Sequence, residues 1–412
     1  MLRHIFGRSG KEAGKKRIYL DHASLTPIDP AVQREVNRYS SEKFMNPSSI
    51  HAQGTAAGKA LLEARHACAA LIGAHADEIV FAGSGTEANN LAILGAARNA
   101  AENQFLAGQL AGKKPHVIVS AIEHASVLKT AIALHSSGAV ELSLAPVDAN
   151  GVVILSEFKK LLCKETVLVS IMMTNNEIGT IQPIRETIKA VRHHRKTSGL
   201  LAVSDAAYPL VHTDACQAAL YEKLDMEKLG VDMLTLDAHK VFGPRGIGML
   251  YVRRKTPVSP IIYGGDQERG LRSGTENIPG IMGFAHALKL AAEMREKETA
   301  RMLELRDYFA VGLRRIDPAI SINAENADRT PHILNVSIPG IDAEFFILQL
   351  DAAGISCSTK SSCLSMDDES YVLSSIGIDS KSSVRFSFGR TTTKDELKQA
   401  LAAIDYLLKK SL

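Results

Sequence analysis

The sequence predicts an α/β fold built on a largely parallel sheet, joined to a smaller α+β domain. Three observations lead there. Unbroken apolar runs recur along the first two thirds of the chain, as strands buried on both faces require. Helical periodicity lies between them, and alternating strands and helices pack as layers. The 412 residues exceed what one hydrophobic core usually serves, so two domains are expected.

Ile18-Tyr19-Leu20-Asp21 opens the ordered body. Apolar residues three and four apart predict a helix from about Ala56 to Ile72. Glu78-Ile79-Val80-Phe81 reads as a strand, broken by Gly83-Ser84-Gly85-Thr86-Glu87, and a helix follows from Leu91 to Ala97. His116-Val117-Ile118-Val119 and the run from Val167 to Met172 are further strands. Between Leu236 and Gly248 the chain is too rich in Gly and Pro for a helix interior. Met249-Leu250-Tyr251-Val252 then resumes a strand, which places Lys240 on a short loop between two strands. From about Pro279 the character changes. A helix with charges at i,i+4 spacing runs from Ala285 to Arg315. Shorter strands follow at Ile333–Val336 and Val384–Ser387, and a helix from Lys394 to Leu408 closes the chain. The expected division is a basic tail over 1–17, a large domain over 29–290, and a small domain made of 18–28 with 291–412. The small domain would carry a mobile loop over about 356–368.

Hydrophobic residues make up 45% and charged residues 23%, ordinary for a soluble globular protein. A net charge of +3 is too small to argue for direct nucleic-acid binding. No apolar run approaches a membrane span. The five cysteines, Cys68, Cys163, Cys216, Cys357 and Cys363, are scattered, lack the paired spacing of a zinc site and suit a reducing compartment, so a cytoplasmic location is expected. Arg3, Arg8, Lys11, Lys15, Lys16 and Arg17 face only Glu12 in the first seventeen residues. A solvated basic tail is preferred there over a transit peptide.

The chemistry begins at His239-Lys240. A lysine pinned on a tight loop can form a Schiff base with an aldehyde cofactor, of which pyridoxal 5'-phosphate (PLP) is the commonest. Gly83-Ser84-Gly85-Thr86-Glu87, between a strand and a helix, has the makings of a phosphate cradle: sharp turn, exposed N–H groups and a helix N-terminus. Many strand-to-helix turns look similar, and no lysine follows as in a P-loop. Asp214 ends an apolar strand, where it can pair with a protonated pyridine nitrogen or simply cap a helix. Asp205 competes for that role, but Asp214 has Gln217 three residues on, able to reach a phenolic oxygen, whereas Asp205 has Tyr208. His124 follows a strand and can stack on a flat ring or carry protons. Asn175-Asn176 follows another strand, either to bind a ligand or to form a local turn. Cys363 ends a small, polar segment with Lys360 three residues away, a setting in which a thiol becomes nucleophilic. Arg385 and Arg390 offer carboxylate forks.

In this order, these residues resemble the cysteine desulfurases of the class V aminotransferase-type, PLP-dependent enzymes. The resemblance runs from Tyr19 to about Leu408. Its most specific pieces are Asn175-Asn176-Glu177-Ile178-Gly179, His239-Lys240 with Gly243-Pro244-Arg245-Gly246, the segment Arg269 to Thr275, and the Ser358 to Cys363 loop. It implies PLP fold type I, with a mainly parallel seven-stranded sheet flanked by helices. It implies that sulfur is removed from L-cysteine, giving L-alanine and a persulfide on Cys363. That sulfur would pass to an acceptor protein, an iron–sulfur scaffold or a tRNA-thiolation relay. By the resemblance, Lys240 carries the cofactor and moves protons, and His124 stacks on the ring. Asp214 binds the ring nitrogen, and Gln217 the phenolic oxygen. Gly85, Thr86 and His239 hold the phosphate. Asn175 belongs to the cofactor site and, with Arg385, holds the substrate carboxylate. Thr275 reaches the phosphate in a partner subunit, which implies a homodimer. No metal is implied.

Other readings stay open at this point. A selenocysteine lyase differs by one chalcogen atom, and nothing in the sequence separates it. Another class V aminotransferase would not need Cys363 on a mobile loop. A non-catalytic partner of the same fold would be expected to have lost Lys240 or Cys363. Departures from the family pattern are also visible. Asp237 stands where the family usually has a small hydroxyl residue, and an acid there would repel a phosphate unless it points away or is protonated. Ser204 to Leu210 reads as an inserted loop near the sheet edge. Lys360 replaces a common glycine. The chain ends at Leu412, short of the tail by which some relatives hold a scaffold, so other sulfur acceptors stay open.

Overall fold

The computed structural model describes residues 17–102, 112–198, 208–360 and 369–411. In chain order these form β1 (Ile18–Tyr19), α1 (Pro30–Ser41), α2 (Ala52–Leu71), β2 (Ile79–Ala82), α3 (Gly85–Glu102) and β3 (His116–Ser120). There follow α4 (Ala125–Ser136), β4 (Glu141–Ala145), α5 (Leu155–Leu161), β5 (Thr166–Ser170), α6 (Ile184–Thr197) and β6 (Leu210–Asp214). Next are α7 (Met226–Leu229), β7 (Met233–Asp237), β8 (Gly248–Val252) and the long α8 (Ile278–Ile316). The chain closes with β9 (Ser321–Ile322), β10 (Ile333–Ser337), α9 (Ala343–Ala352), β11 (Ile355–Ser356), α10 (Tyr371–Ser375), β12 (Ser383–Ser387) and α11 (Lys394–Ser411).

The central sheet has seven strands in the order β2-β8-β7-β6-β5-β3-β4. Only β8 runs against the rest, pairing antiparallel with both β2 and β7. The predicted mainly parallel seven-stranded sheet is therefore present. Its residues alternate between two cores. Ile79, Phe81, Ile118, Val169 and Leu234 belong to one cluster. Val80, Ala82, Val117, Val119 and Leu168 belong to the other. Side chains point to opposite faces with period two, so both faces of the sheet are buried, and that is why the strands read as unbroken apolar runs.

A second sheet is antiparallel, in the order β12-β10-β9. The N-terminal strand β1 pairs in parallel with β11, Ile18 opposite Ile355. Residues 18–19 are thus stitched to the C-terminal part of the chain. Helix α8 is continuous from Ile278 to Ile316, so the expected division at 290/291 falls inside one helix. Pro279 does not interrupt it. Asn277 caps the helix by accepting from the Gly280 N–H, and Pro279 sits in the first turn, where no intrahelical donor is needed.

Several elements are longer than the sequence predicts. Helix α2 starts at Ala52, because the His51 side chain accepts from the Gly54 N–H as a cap. Helix α3 starts at Gly85, within the glycine-rich turn itself. Of the inserted segment, residues 204–207 and the competing Asp205 lie outside the described residues. Its end leads into β6, a central strand flanked by β5 and β7, and not the lateral edge of the sheet. The basic tail lies outside them too, apart from Arg17, which pairs with Asp351. No helix among the described residues is long and apolar enough to cross a membrane.

Candidate active site

Parallel strands bring their C-terminal ends to one side of a sheet, and ligands of such folds bind there. Asp214 ends β6 and Asp237 ends β7, Met172 lies two residues beyond β5, and Gly85 opens α3 just after β2. His124 caps α4 after β3. These residues line one cleft together with Ala23, Ser24, Thr86, Asn89, Asn176, Gln217, His239, Lys240 and Arg385.

Lys240 ends a single 3-10 turn, Ala238–Lys240, between β7 and β8. The turn is tied down by residues far away in sequence. The Thr26 hydroxyl donates to the His239 carbonyl at 2.7 Å and accepts from the Phe242 N–H at 2.8 Å. The Lys240 Nζ donates to the carbonyl oxygens of Ala23 and Ser24, each at 2.7 Å. The amine is therefore held at the cleft by backbone groups.

Asp214 is buried and fixed on both oxygens. Its Oδ1 accepts from the Cys216 N–H at 2.9 Å and its Oδ2 from Asn89 Nδ2 at 2.7 Å. The turn-capping role and the cleft-facing role thus coincide. Asn89 also donates to Ser126 Oγ at 2.8 Å, and Ser126 Oγ lies 2.7 Å from His124 Nδ1. A chain of hydrogen bonds links His124 to Asp214 through two residues that sequence reasoning missed. The one available signal for Asn89 is a polar residue within the apolar stripe of Ala88, Leu91 and Ala92 on α3. Gln217 donates to the Ala23 carbonyl at 2.9 Å, and its Oε1 faces His332 at 3.2 Å.

The phosphate cradle differs from the expected one. Asp237 does not point away. Its Oδ2 accepts from the Gly85 N–H at 2.6 Å, and its Oδ1 lies 2.5 Å from His239 Nδ1. Burial alone would push the carboxyl's pKa up, but hydrogen bonds and charge from His239, with the Gly85 N–H, hold it below its ordinary value. The close fit depends on glycine: a Cβ at Gly248 would meet the Ser84 backbone at 2.5 Å, and one at Gly85 would meet Asp237 Oδ2 at 3.0 Å.

Arg385, on β12, is buried at the cleft wall. It donates to Asp21 Oδ1 at 2.9 Å, Ser24 Oγ at 2.7 Å and the Asn176 carbonyl at 2.8 Å. Asn176 lines the cleft, and Asn175 does not. The Asn175 side chain is spent on its own turn, accepting from the Glu177 and Ile178 N–H groups and donating to the Ile122 carbonyl. The expectation that Asn175 contacts cofactor and substrate is revised on that ground. Thr275 is exposed and lies outside this cleft. Cys363 lies outside the described residues. Lys360, expected to favour its thiolate, pairs with Glu344 at 3.5 Å.

The residues fit PLP. The cleft offers an amine, a buried carboxylate for a ring nitrogen and imidazoles in its wall. Two of its lining residues, Asn89 and Arg385, each also carry a buried polar atom without a partner among the described residues, Oδ1 and Nε. Such atoms are costly unless something pairs with them.

The model of the class-V aminotransferase family matches residues 18–400. The cysteine desulfurase IscS of Dictyoglomus turgidum is 39% identical over 403 residues, covering 96% of this chain and 95% of that protein. A solved structure of a NifS-like protein superposes with a TM-score of 0.85 at 33% identity, covering 96% of this chain and 100% of the other. A structure of SspA in complex with cysteine superposes with a TM-score of 0.73 at 29% identity, covering 90% and 98%.

Proposed function

The chain belongs to the class-V aminotransferase family, and from that premise we propose that it is a PLP-dependent cysteine desulfurase that leaves the sulfur as a persulfide on Cys363. One observation carries the reading: Lys240, Asp214, His124 and Arg385 converge on one cleft. The near full-length likeness to a protein named as a cysteine desulfurase supports it.

PLP, when bound, supplies a protonated ring that draws electrons from the substrate's Cα. Asp214 would keep the ring nitrogen protonated, with Asn89 and the Cys216 N–H keeping the carboxylate oriented. Lys240 would hold the cofactor through its Nζ and then move the Cα proton. His124, steadied by Ser126, would cover the ring and serve in proton transfer. Gln217 would face the phenolic oxygen. Thr86 and His239 would take the phosphate, with the Gly85 N–H once Asp237 yields it. Arg385 would bind the substrate carboxylate, with Asn176 beside it in place of Asn175.

Cys363 acts as nucleophile. Its thiolate attacks the substrate's sulfur, the carbon–sulfur bond breaks, and the electron pair stays with carbon, which takes a proton. L-Cysteine and the Cys363 thiol become L-alanine and a Cys363 persulfide, with no external oxidant or reductant needed. The outer sulfur would then pass to an acceptor protein, an iron–sulfur scaffold or a tRNA-thiolation relay, in a reducing cytoplasm.

A homodimer completes this reading. Glu268 and Arg269 have positive φ values of 48° and 59°. Arg65 clamps Glu268 with two bonds of 2.7 and 2.6 Å, and the Phe81 N–H adds a third at 2.9 Å. A loop held in such a conformation is preset, and it leads to the exposed Thr275, which would reach the partner's phosphate site.

The test is mass spectrometry of full-length protein after L-cysteine is added without reductant. Gain of one sulfur atom at Cys363, and its absence in Cys363→Ser with PLP still bound, is expected. An unmodified Cys363 in protein that consumes cysteine would overturn the assignment.

A further inference from the structure

The end of α3 is satisfied from within. The N–H of Gly85, first residue of the 18-residue α3, is the donor a phosphate would take at this helix terminus. It is taken by Asp237 Oδ2 at 2.6 Å. The imidazole on the other side of the cradle, His239, meets the same carboxylate at 2.5 Å. Asp237 also accepts from the His239 N–H at 3.2 Å. One buried side chain therefore occupies two of the three groups that one subunit's cleft would offer the phosphate.

We propose that Asp237 is an intramolecular stand-in for the cofactor phosphate, which stabilises the cofactor-free cradle and lowers affinity for the phosphorylated cofactor. The inference rests on the reading of this cleft as a PLP site. A phosphate near neutral pH carries between one and two negative charges. To reach Gly85 and His239 it must displace a carboxylate from both and remain close to it. Two anions at such range in a largely buried cleft repel strongly. The described groups around Asp237 are already engaged. His239 is its partner already. Lys240 is turned to the Ala23 and Ser24 carbonyls. Cys216 and Asp214, on the neighbouring strand end, add no positive charge. Glu87 on α3 is paired with Arg272 at 2.8 Å. The cofactor is accordingly held more by Lys240 and Asp214 than by its phosphate, and it exchanges more readily than a neutral cradle would allow.

The test uses full-length protein stripped of cofactor, as wild type, Asp237→Asn and Asp237→Ala. Asn keeps an acceptor for the Gly85 N–H and removes the charge; Ala removes both and serves if Asn disturbs the turn. Dissociation constants for PLP and for unphosphorylated pyridoxal are measured by fluorescence, and melting temperatures with and without PLP. The proposal expects PLP to bind the variants about tenfold tighter or more, pyridoxal within about twofold of wild type, and the cofactor-free variants to melt lower. Unchanged or weaker PLP binding in both variants overturns it, as do equal gains for PLP and pyridoxal. If neither aldehyde binds wild type or variants, the PLP reading itself fails, and the inference with it.

Discussion

Arg385 and Asp21 form an ion pair at 2.9 Å between residues 364 positions apart. Arg385 lies on β12 and Asp21 just beyond β1, so the pair ties the start of the ordered chain to the small sheet at the wall of the cleft. The guanidinium is 1% exposed. Its bonds to Asp21, Ser24 and Asn176 fix its position at the cleft.

Arg385→Lys keeps the charge but loses the fork. KM for L-cysteine should rise about 10- to 100-fold, with a smaller change in kcat. Arg385→Ala should also lower stability, by about 2–3 kcal/mol, because a large buried side chain is removed and the Asn176 carbonyl and Asp21 lose its bonds. Steady-state kinetics and urea denaturation check both. An unchanged KM in Arg385→Lys would remove Arg385 from substrate binding.

Lys240→Ala removes the amine from the cleft. The visible absorption of lysine-bound PLP should vanish and turnover should fall by about 10²- to 10⁴-fold or more. The Ala23 and Ser24 carbonyls lose their donor, so a modest fall in melting temperature should accompany it. A normal cofactor spectrum in this variant would contradict the assignment of Lys240.

Glu123, next to His124, is fully buried. Its Oε1 accepts from Ser120 Oγ and the Met172 N–H, and its Oε2 has no partner among the described residues. Burial pushes its pKa up from 4.5 to about 8. The folded state thus holds a proton that the unfolded state has released between these values, so stability falls as pH rises from about 4.5 to about 8. Glu123→Gln removes this dependence. At pH 5 the variant and wild type should be close in stability. Near pH 8 the variant should gain up to about 4 kcal/mol. Chemical denaturation at both pH values checks the difference, and an equal offset at both would show that Glu123 is not protonated in the fold.

Much of this was legible in the residues. Unbroken runs such as Val167–Ser170 marked strands buried on both faces, and Gly243-Pro244 next to Lys240 marked a turn that no helix could hold. Asp214 and Lys240 stand where those patterns placed them. The rest depends on three-dimensional partners. The carbonyls of Ala23 and Ser24 orient Lys240, and backbone groups carry no residue signature. Asn89 and Ser126 are ordinary helix residues until α3 and α4 are packed side by side. Asn175 and Asn176 differ by one position, and only the closing of the turn decides which faces the cleft. Asp237 was visible as an oddity, but its grip on Gly85 required β7 and α3 to be brought together. The helix predicted from Ala285 begins at Ile278 in the structure, because Pro279 fits the first turn of a helix as readily as it ends one.

The most direct test of the central claim is the stoichiometry of products from L-cysteine, using full-length PLP-loaded protein with a reductant present. Sulfide and L-alanine should appear in equal amounts, and neither should form beyond background with Lys240→Ala or Cys363→Ser. Cysteine consumed with pyruvate or a transaminated product in place of alanine, or no sulfide at all while PLP is bound, would contradict the account.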